Sequence, residues 1–230
     1  MINIPGIKIF LAILISSFLL LSYSNLRAQT YEFQAISTGE PILRTLWYTE
    51  GSKKNKIVAT ALMRSESYKY DLGPNIIFYG DRVDEEGKPI AEAIAELPIG
   101  ATQVLLFFNK LKNTDESGQN YDVSVLKDDH SDFPFGSFRF INASGKKLAI
   151  KINDKQLTLA EGESKTVKVK ASTKDLGVDI GSYVEEEDKW QKGYSSMWGH
   201  RENLRTLVFI ANGPNGSIRA LRFRESGEIK

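Results

Sequence analysis

The densest chemistry in this sequence is a five-residue run, "DDHSD" (Asp128 to Asp132), which turns at once into the aromatic stretch "FPFGSFRF" ending at Phe140. Three carboxylates and an imidazole so close together could hold a divalent cation, or let His130 act as a base beside an acid. Zinc asks for three or four converging ligands. The chain has two histidines, His130 and His200, seventy residues apart. A metal-assisted hydrolase around Asp128–Asp132 therefore needs the fold to bring His200 to Asp128, Asp129 and His130. Calcium could use the aspartates, but the run lacks the spacing of a calcium loop. The plainer reading is a hinge. Asp, Ser and His suit a solvated link, Pro134 biases Phe133 to extended geometry, and Phe133, Phe135, Phe138 and Phe140 can drop into a junction and the following core. The hinge is the stronger reading, the metal set is the runner-up, and no cofactor is expected.

Other chemical motifs fail on inspection. "RVDEEGKPIAEA" looks like a calcium loop around Asp84, Glu86 and Gly87, but Arg82 and Ala93 stand where the first and last ligands belong. "GYSSM" lacks the closing glycine of a nucleophile elbow, and "SGKK" sets Ser144 before Lys147 in a turn rather than on a helix. No Walker loop or dinucleotide fingerprint is present. The acidic run Glu185–Asp188 suits a solvated turn. One constellation remains, "KWQKGYSSMWGHREN": Trp190, Tyr194 and Trp198 share parity and on an extended strand would line one face, about 13 Å per four-residue step. Coplanar exposed aromatics stack on sugar rings; the alternative is that they cap a core, with Gly193 and Gly199 marking a bulge or bend that breaks the stripe.

The elements that must position these residues read as strands. "KKLAIKIN", "KTVKVK" and "YDVSVL" alternate with period two, while "QVLLFFN" and "LRTLVFIAN" are continuous apolar runs expected of central strands covered on both faces. Gly-, Asn-, Asp- and Pro-bearing turns recur between them. "PIAEAIAEL" alternates and is assigned to a strand paired with "NIIFYG". The expected fold class is all-β: two small antiparallel, immunoglobulin-like β-sandwich domains at 29–130, of about seven strands, and 131–230, of six or seven, after a cleaved signal peptide at 1–28, with one larger β domain as the alternative.

The chain opens with Lys8, an almost wholly apolar run of thirteen residues from Ile9 to Leu21, and small or polar residues with cleavage points after Ser24 or Ala28. That is the layout of a secretory signal, too short for a span of about twenty residues. Removing residues 1–28 takes Lys+Arg from 30 to 28 against 29 Asp+Glu, a net charge of −1. A near-neutral chain without basic runs has no global pull toward nucleic acid. With no cysteine, thiolate metal sites and disulfides are excluded, and the fold must be held by core burial.

Two stretches, "FPFGSFRFINASGKKLAIKINDKQLTLAEGES" and "RTLVFIAN", resemble a group of uncharacterised secreted bacterial β-sandwich proteins, with a Pro–Gly–aromatic strand and an Asn–x–Ser turn ahead of an alternating hairpin. The length and the expected two domains are also remotely similar to the periplasmic pilus chaperones. These hold a client's terminal carboxylate with an Arg and a Lys in the interdomain cleft and pair an edge strand with the client. Arg44 precedes an early apolar run and Lys127 lies near the expected junction, but neither aligns with the chaperone motif and neither role is carried over. The expectation is an exported, periplasmic or extracellular, non-enzymatic protein that binds another protein or a cell-envelope component. A glycan-binding module using Trp190, Tyr194 and Trp198 is the first alternative and the metal-assisted hydrolase the second. No nucleic acid and no membrane span in the mature chain are expected.

Overall fold

In the computed structural model the described residues are 29–61, 63–114, 118–170, 175–184 and 189–227. They form sixteen strands and one short 3-10 turn at Pro214–Gly216. The proposed signal segment and Glu185–Asp188 lie outside them. Among the described residues no helix is long and apolar enough to cross a membrane.

The first eight strands are β1 (Tyr31–Ser37), β2 (Ile42–Glu50), β3 (Lys53–Ala59), β4 (Tyr68–Tyr70), β5 (Asn75–Val83), β6 (Pro89–Glu96), β7 (Gln103–Lys110) and β8 (Tyr121–Lys127). They make two open sheets, ordered β4-β1-β7-β8 and β3-β2-β5-β6. The second eight are β9 (Ser137–Ala143), β10 (Leu148–Ile152), β11 (Lys155–Leu159), β12 (Ser164–Lys168), β13 (Leu176–Val184), β14 (Lys189–Trp198), β15 (Leu204–Asn212) and β16 (Ile218–Ser226). Their sheets are ordered β12-β9-β15-β16 and β11-β10-β13-β14. Adding eight to each label of the first pair generates the second. The chain is thus two β-sandwiches of one topology, each with at least one strand more than its hydrophobic runs suggest. Pairing is antiparallel except at β1 with β7 and β9 with β15, which are parallel. The segment "PIAEAIAE" is the strand β6 paired with β5.

The continuous apolar runs follow from burial on both faces. In β7, Val104, Leu106 and Phe108 enter the first core, beside Phe33, Tyr48 and Phe78. The alternate residues Leu105 and Phe107 point the other way, into a third cluster with Ile36, Phe133, Leu207 and Phe223. In β15, Val208 and Ile210 enter the second core, and Leu207 and Phe209 face the third. That third cluster draws only on β1, β7, β8, β9, β15, β16 and the link between the halves. The β4-β1-β7-β8 sheet therefore packs back to back on the β12-β9-β15-β16 sheet, and the molecule has four layers. Phe107 anchors the contact edge-on to Phe209 (5.0 Å) and Phe223 (5.6 Å). Such pairs contribute about 0.5–1.5 kcal/mol beyond burial.

Candidate functional site

Residues 128–136 join β8 to β9, and the link is solvated only at His130, Ser131 and Asp132; Asp128 is 2% exposed, Asp129 6% and Phe133 fully buried. Buried carboxylates demand partners, and each finds its own. Asp128 Oδ2 accepts from Arg64 Nη1 and from Arg205 Nη2 at 2.8 Å. Glu225 Oε2 accepts from Arg205 Nε (2.7 Å) and lies 3.1 Å from Arg64 Nη1. Arg205 Nη1 donates to the backbone oxygens of Asp128 (2.8 Å) and Phe133 (3.1 Å). Arg64 comes from the β3–β4 loop of the first sandwich. Arg205 and Glu225 are a cross-strand pair on β15 and β16 of the second. Two guanidiniums and two carboxylates thus neutralise one another and tie both sandwiches to the link.

The other members of the acidic run are also paired, Asp129 in the interior and Asp132 at the surface. Asp129 Oδ1 accepts from Thr102 N (2.8 Å), Thr102 Oγ1 (2.5 Å) and Gln103 N (2.9 Å), capping the start of β7. Burial alone would push the Asp129 carboxyl up; these donors and nearby Lys127 outweigh it and hold it below the ordinary aspartate value. Asp132 pairs with Lys127 at 2.8 Å. His130 lies tilted against Phe135 (5.0 Å) with its ring Nε2 3.8 Å from Glu225 Oε1. Arg139 donates to Lys127 O (2.8 Å) and lies over the Phe133 ring (4.7 Å); burial pushes its guanidinium down.

His200 is elsewhere, inside the second sandwich. Its Nε2 is 3.1 Å from Val169 O, and its ring lies on Phe138 (4.7 Å). Burial pushes the imidazole below its ordinary value against the pull of its backbone partners. Asp128, Asp129 and His130 are brought to one junction, but His200 makes its contacts with Val169 and Phe138. Among the described residues no group of three or more His, Cys, Asp or Glu could hold a metal ion.

The aromatic stripe is split by a bulge. Ile180 pairs with Tyr194 but Gly181 with Lys192, so Gly193 is the extra residue and parity inverts there. Tyr194 and Trp198 face inward: Trp198 is 1% exposed, lies on Phe138 and Phe140, and donates from Nε1 to Tyr194 Oη (3.1 Å). Trp190 faces outward beside Tyr183 (5.2 Å). The expected coplanar face is therefore not formed. In the first sandwich Trp47 and Tyr79 also share an outer face, stacked at 4.8 Å, with Lys54 over the indole at 4.2 Å. Arg44 occupies the irregularity of β2, and Lys127 ends β8 tied to Asp132. The Asn–x–Ser turn has a packing role: Asn142 is fully buried, and its amide donates to Lys146 O (2.7 Å) and Ala160 O (2.8 Å).

Beside the junction a cleft of about 640 Å³ opens between the sandwiches, lined by Met63, Arg64, Ala220, Leu221, Arg222 and Arg224. Arg222 spans the Trp198 ring (4.9 Å); burial, and then the charge of Arg224, push its guanidinium down. Met63 and Leu221 are 64% and 38% exposed. Sequence reasoning passed over Arg64, Arg205 and Glu225, and with them Arg222 and Arg224. Two signals were available: a lone Arg inside the apolar run "LRTLVFIAN", and the alternating "RALRFRES" on the last strand. No family model matches the chain, and no curated protein matches it either.

Proposed function

We propose that this is an exported, non-enzymatic binding protein, a stiff two-sandwich scaffold whose working surface is the cleft between its halves. The observation that carries this reading is the junction itself. Every charged side chain of the run that looked catalytic is engaged by the fold: Asp128 and Asp129 hold the halves in place, and Asp132 pairs with Lys127. What is left beside them is a concave surface with exposed apolar side chains and two arginines, Arg222 and Arg224, that have no carboxylate partner among the described residues, next to the paired Arg64. Concavity, apolar lining and a few charged groups are the marks of a ligand or partner site. The partner is a protein or a component of the cell envelope, and export follows from the Lys8 and Ile9–Leu21 segment.

The test is photo-crosslinking in the native cell. A photoreactive residue is placed at Leu221, in the cleft, or at Lys151, on the outer face of the far sheet. A discrete adduct at position 221 that is absent at 151 supports the reading. The same adducts at both positions, or none at either, contradict it. Fractionation of the same cells checks export, and a cytoplasmic pool of uncleaved chain would remove that part.

A further inference from the structure

We infer that the free edge of β16 is a docking site for an extended acidic segment of a partner protein, which adds to the sheet as a further strand. The inference rests on the binding-protein reading and names the chemistry of the partner. β16 ends its sheet, so one side of its backbone has no strand neighbour there. Exposed edges invite pairing with foreign strands, and proteins usually blunt them. This protein blunts others. Lys155 Nζ donates to Lys168 O (2.5 Å) and Lys165 Nζ to Thr158 O (2.7 Å), bridging the edges of β11 and β12. Val58 N on the edge strand β3 donates to Tyr68 Oη (2.9 Å). Among the described residues no side chain caps the backbone of Ile218–Ser226.

Space and charge agree with that edge being used. At the start of β16, strand β14 closes the seam: a Cβ on Gly193 would lie 2.7 Å from Ile218 Cδ1. Farther along, at Ala220 to Arg224, the 640 Å³ cleft opens against Met63 and Arg64. Arg222 and Arg224 are two residues apart and so project to the same side of the strand, roughly 7 Å from each other. An added strand repeats its side chains at the same interval, so alternating carboxylates on the partner meet both arginines in one register. Arg64, 3% exposed at the base of the cleft, keeps a buried Nε with no hydrogen-bond partner among the described residues. Met63 and Leu221 supply an apolar wall for the residues between. Strand addition places affinity in the main chain and selectivity in alternate side chains, and this edge has both.

The experiment uses the purified chain and a fluorescent, end-blocked eight-residue peptide alternating valine and glutamate, followed by anisotropy. Three probes accompany it: the valine–lysine counterpart, the acidic peptide N-methylated at alternate residues to remove its pairing N–H groups, and decanoate as a small amphiphilic anion. The expected result is salt-sensitive binding of the acidic peptide alone, weakened about tenfold in Arg222→Gln/Arg224→Gln and unchanged in Lys151→Gln. The thermal midpoint of each variant is checked, and Arg224→Gln alone is read as well because Arg222 also covers Trp198. Equal binding of acidic and basic peptides, no binding of the acidic peptide, indifference to N-methylation, full competition by decanoate, or an unchanged double variant would each overturn the inference. If the acidic peptide fails while the Leu221 adduct persists in cells, this inference falls and the binding-protein reading stands. If the adduct is also absent, both fall.

Discussion

Replacing Asp128 by alanine tests the junction most severely. The carboxylate is 3% exposed and is shared by Arg64 and Arg205, themselves 3% and 2% exposed. Removing it leaves two buried guanidiniums with Glu225 as their remaining carboxylate. Breaking a buried ion pair by deleting one partner costs roughly 3–5 kcal/mol, because the surviving charge is stranded. Whole domains are stable by only about 5–15 kcal/mol, so the loss is large. The assay is urea denaturation followed by circular dichroism and by fluorescence, with Trp47 in the first sandwich and Trp198 in the second as reporters. Because Asp128 ties the halves together, the two signals coincide in the parent and separate in Asp128→Ala. Asp128→Asn keeps an acceptor and costs about half as much. The double variant Asp128→Leu/Arg205→Met leaves Arg64 and Glu225 3.1 Å apart to pair with each other. Its loss falls well short of the sum of its single variants, since apolar replacement of a buried pair is often near neutral. An Asp128→Ala protein within about 1 kcal/mol of the parent, its two signals still coincident, would refute the reasoning.

Three further outcomes follow from the same geometry. Asp129→Ala strands the backbone N–H groups of Thr102 and Gln103 and costs about 2–4 kcal/mol by denaturation. Asp129 has a lowered pKa, so its contribution is present above the unfolded carboxyl value of 3.8 and fades as pH falls through the lower folded value; the variant lacks that acid-side slope. His200 also has a lowered pKa, so the unfolded chain takes up the proton first. Stability therefore falls as pH drops below 6.5, and a His200→Gln protein shows a shallower fall over that window. Gly193→Ala puts a methyl 2.7 Å from Ile218 Cδ1 at the β14–β16 seam and lowers stability by about 1–3 kcal/mol.

Much of the fold was legible because burial writes itself into period and run length. The unbroken run in β7 reflects a strand with Leu106 in one core and Leu105 in another cluster, and β10 alternates because only Leu148, Ile150 and Ile152 face inward. The repeated topology was hard to read, because β1 and β9 share little beyond the spacing of Phe33 and Ile36 with that of Phe138 and Ile141. The aromatic stripe misled because parity holds only while register does, and one residue at Gly193 inverts it. The acidic run misled for a different reason. Asp128 looks solvated beside its sequence neighbours, and nothing near it announces Arg64 or Arg205, sixty-four and seventy-seven residues away. A buried charge network is a property of convergence, and local composition does not record it.

The central claim is that the two sandwiches form one stiff unit, packed back to back through Phe107, Phe209 and Phe223 and tied by the Arg64–Asp128–Arg205–Glu225 network. The chain has no cysteine, so two can be introduced cleanly, at Lys56 and Lys151 on the outer faces of the two outermost sheets, and spin-labelled. Pulsed electron resonance should then return one narrow distance distribution, broadened only when Asp128→Ala is added. A broad or two-peaked distribution in the otherwise unaltered protein would contradict the account.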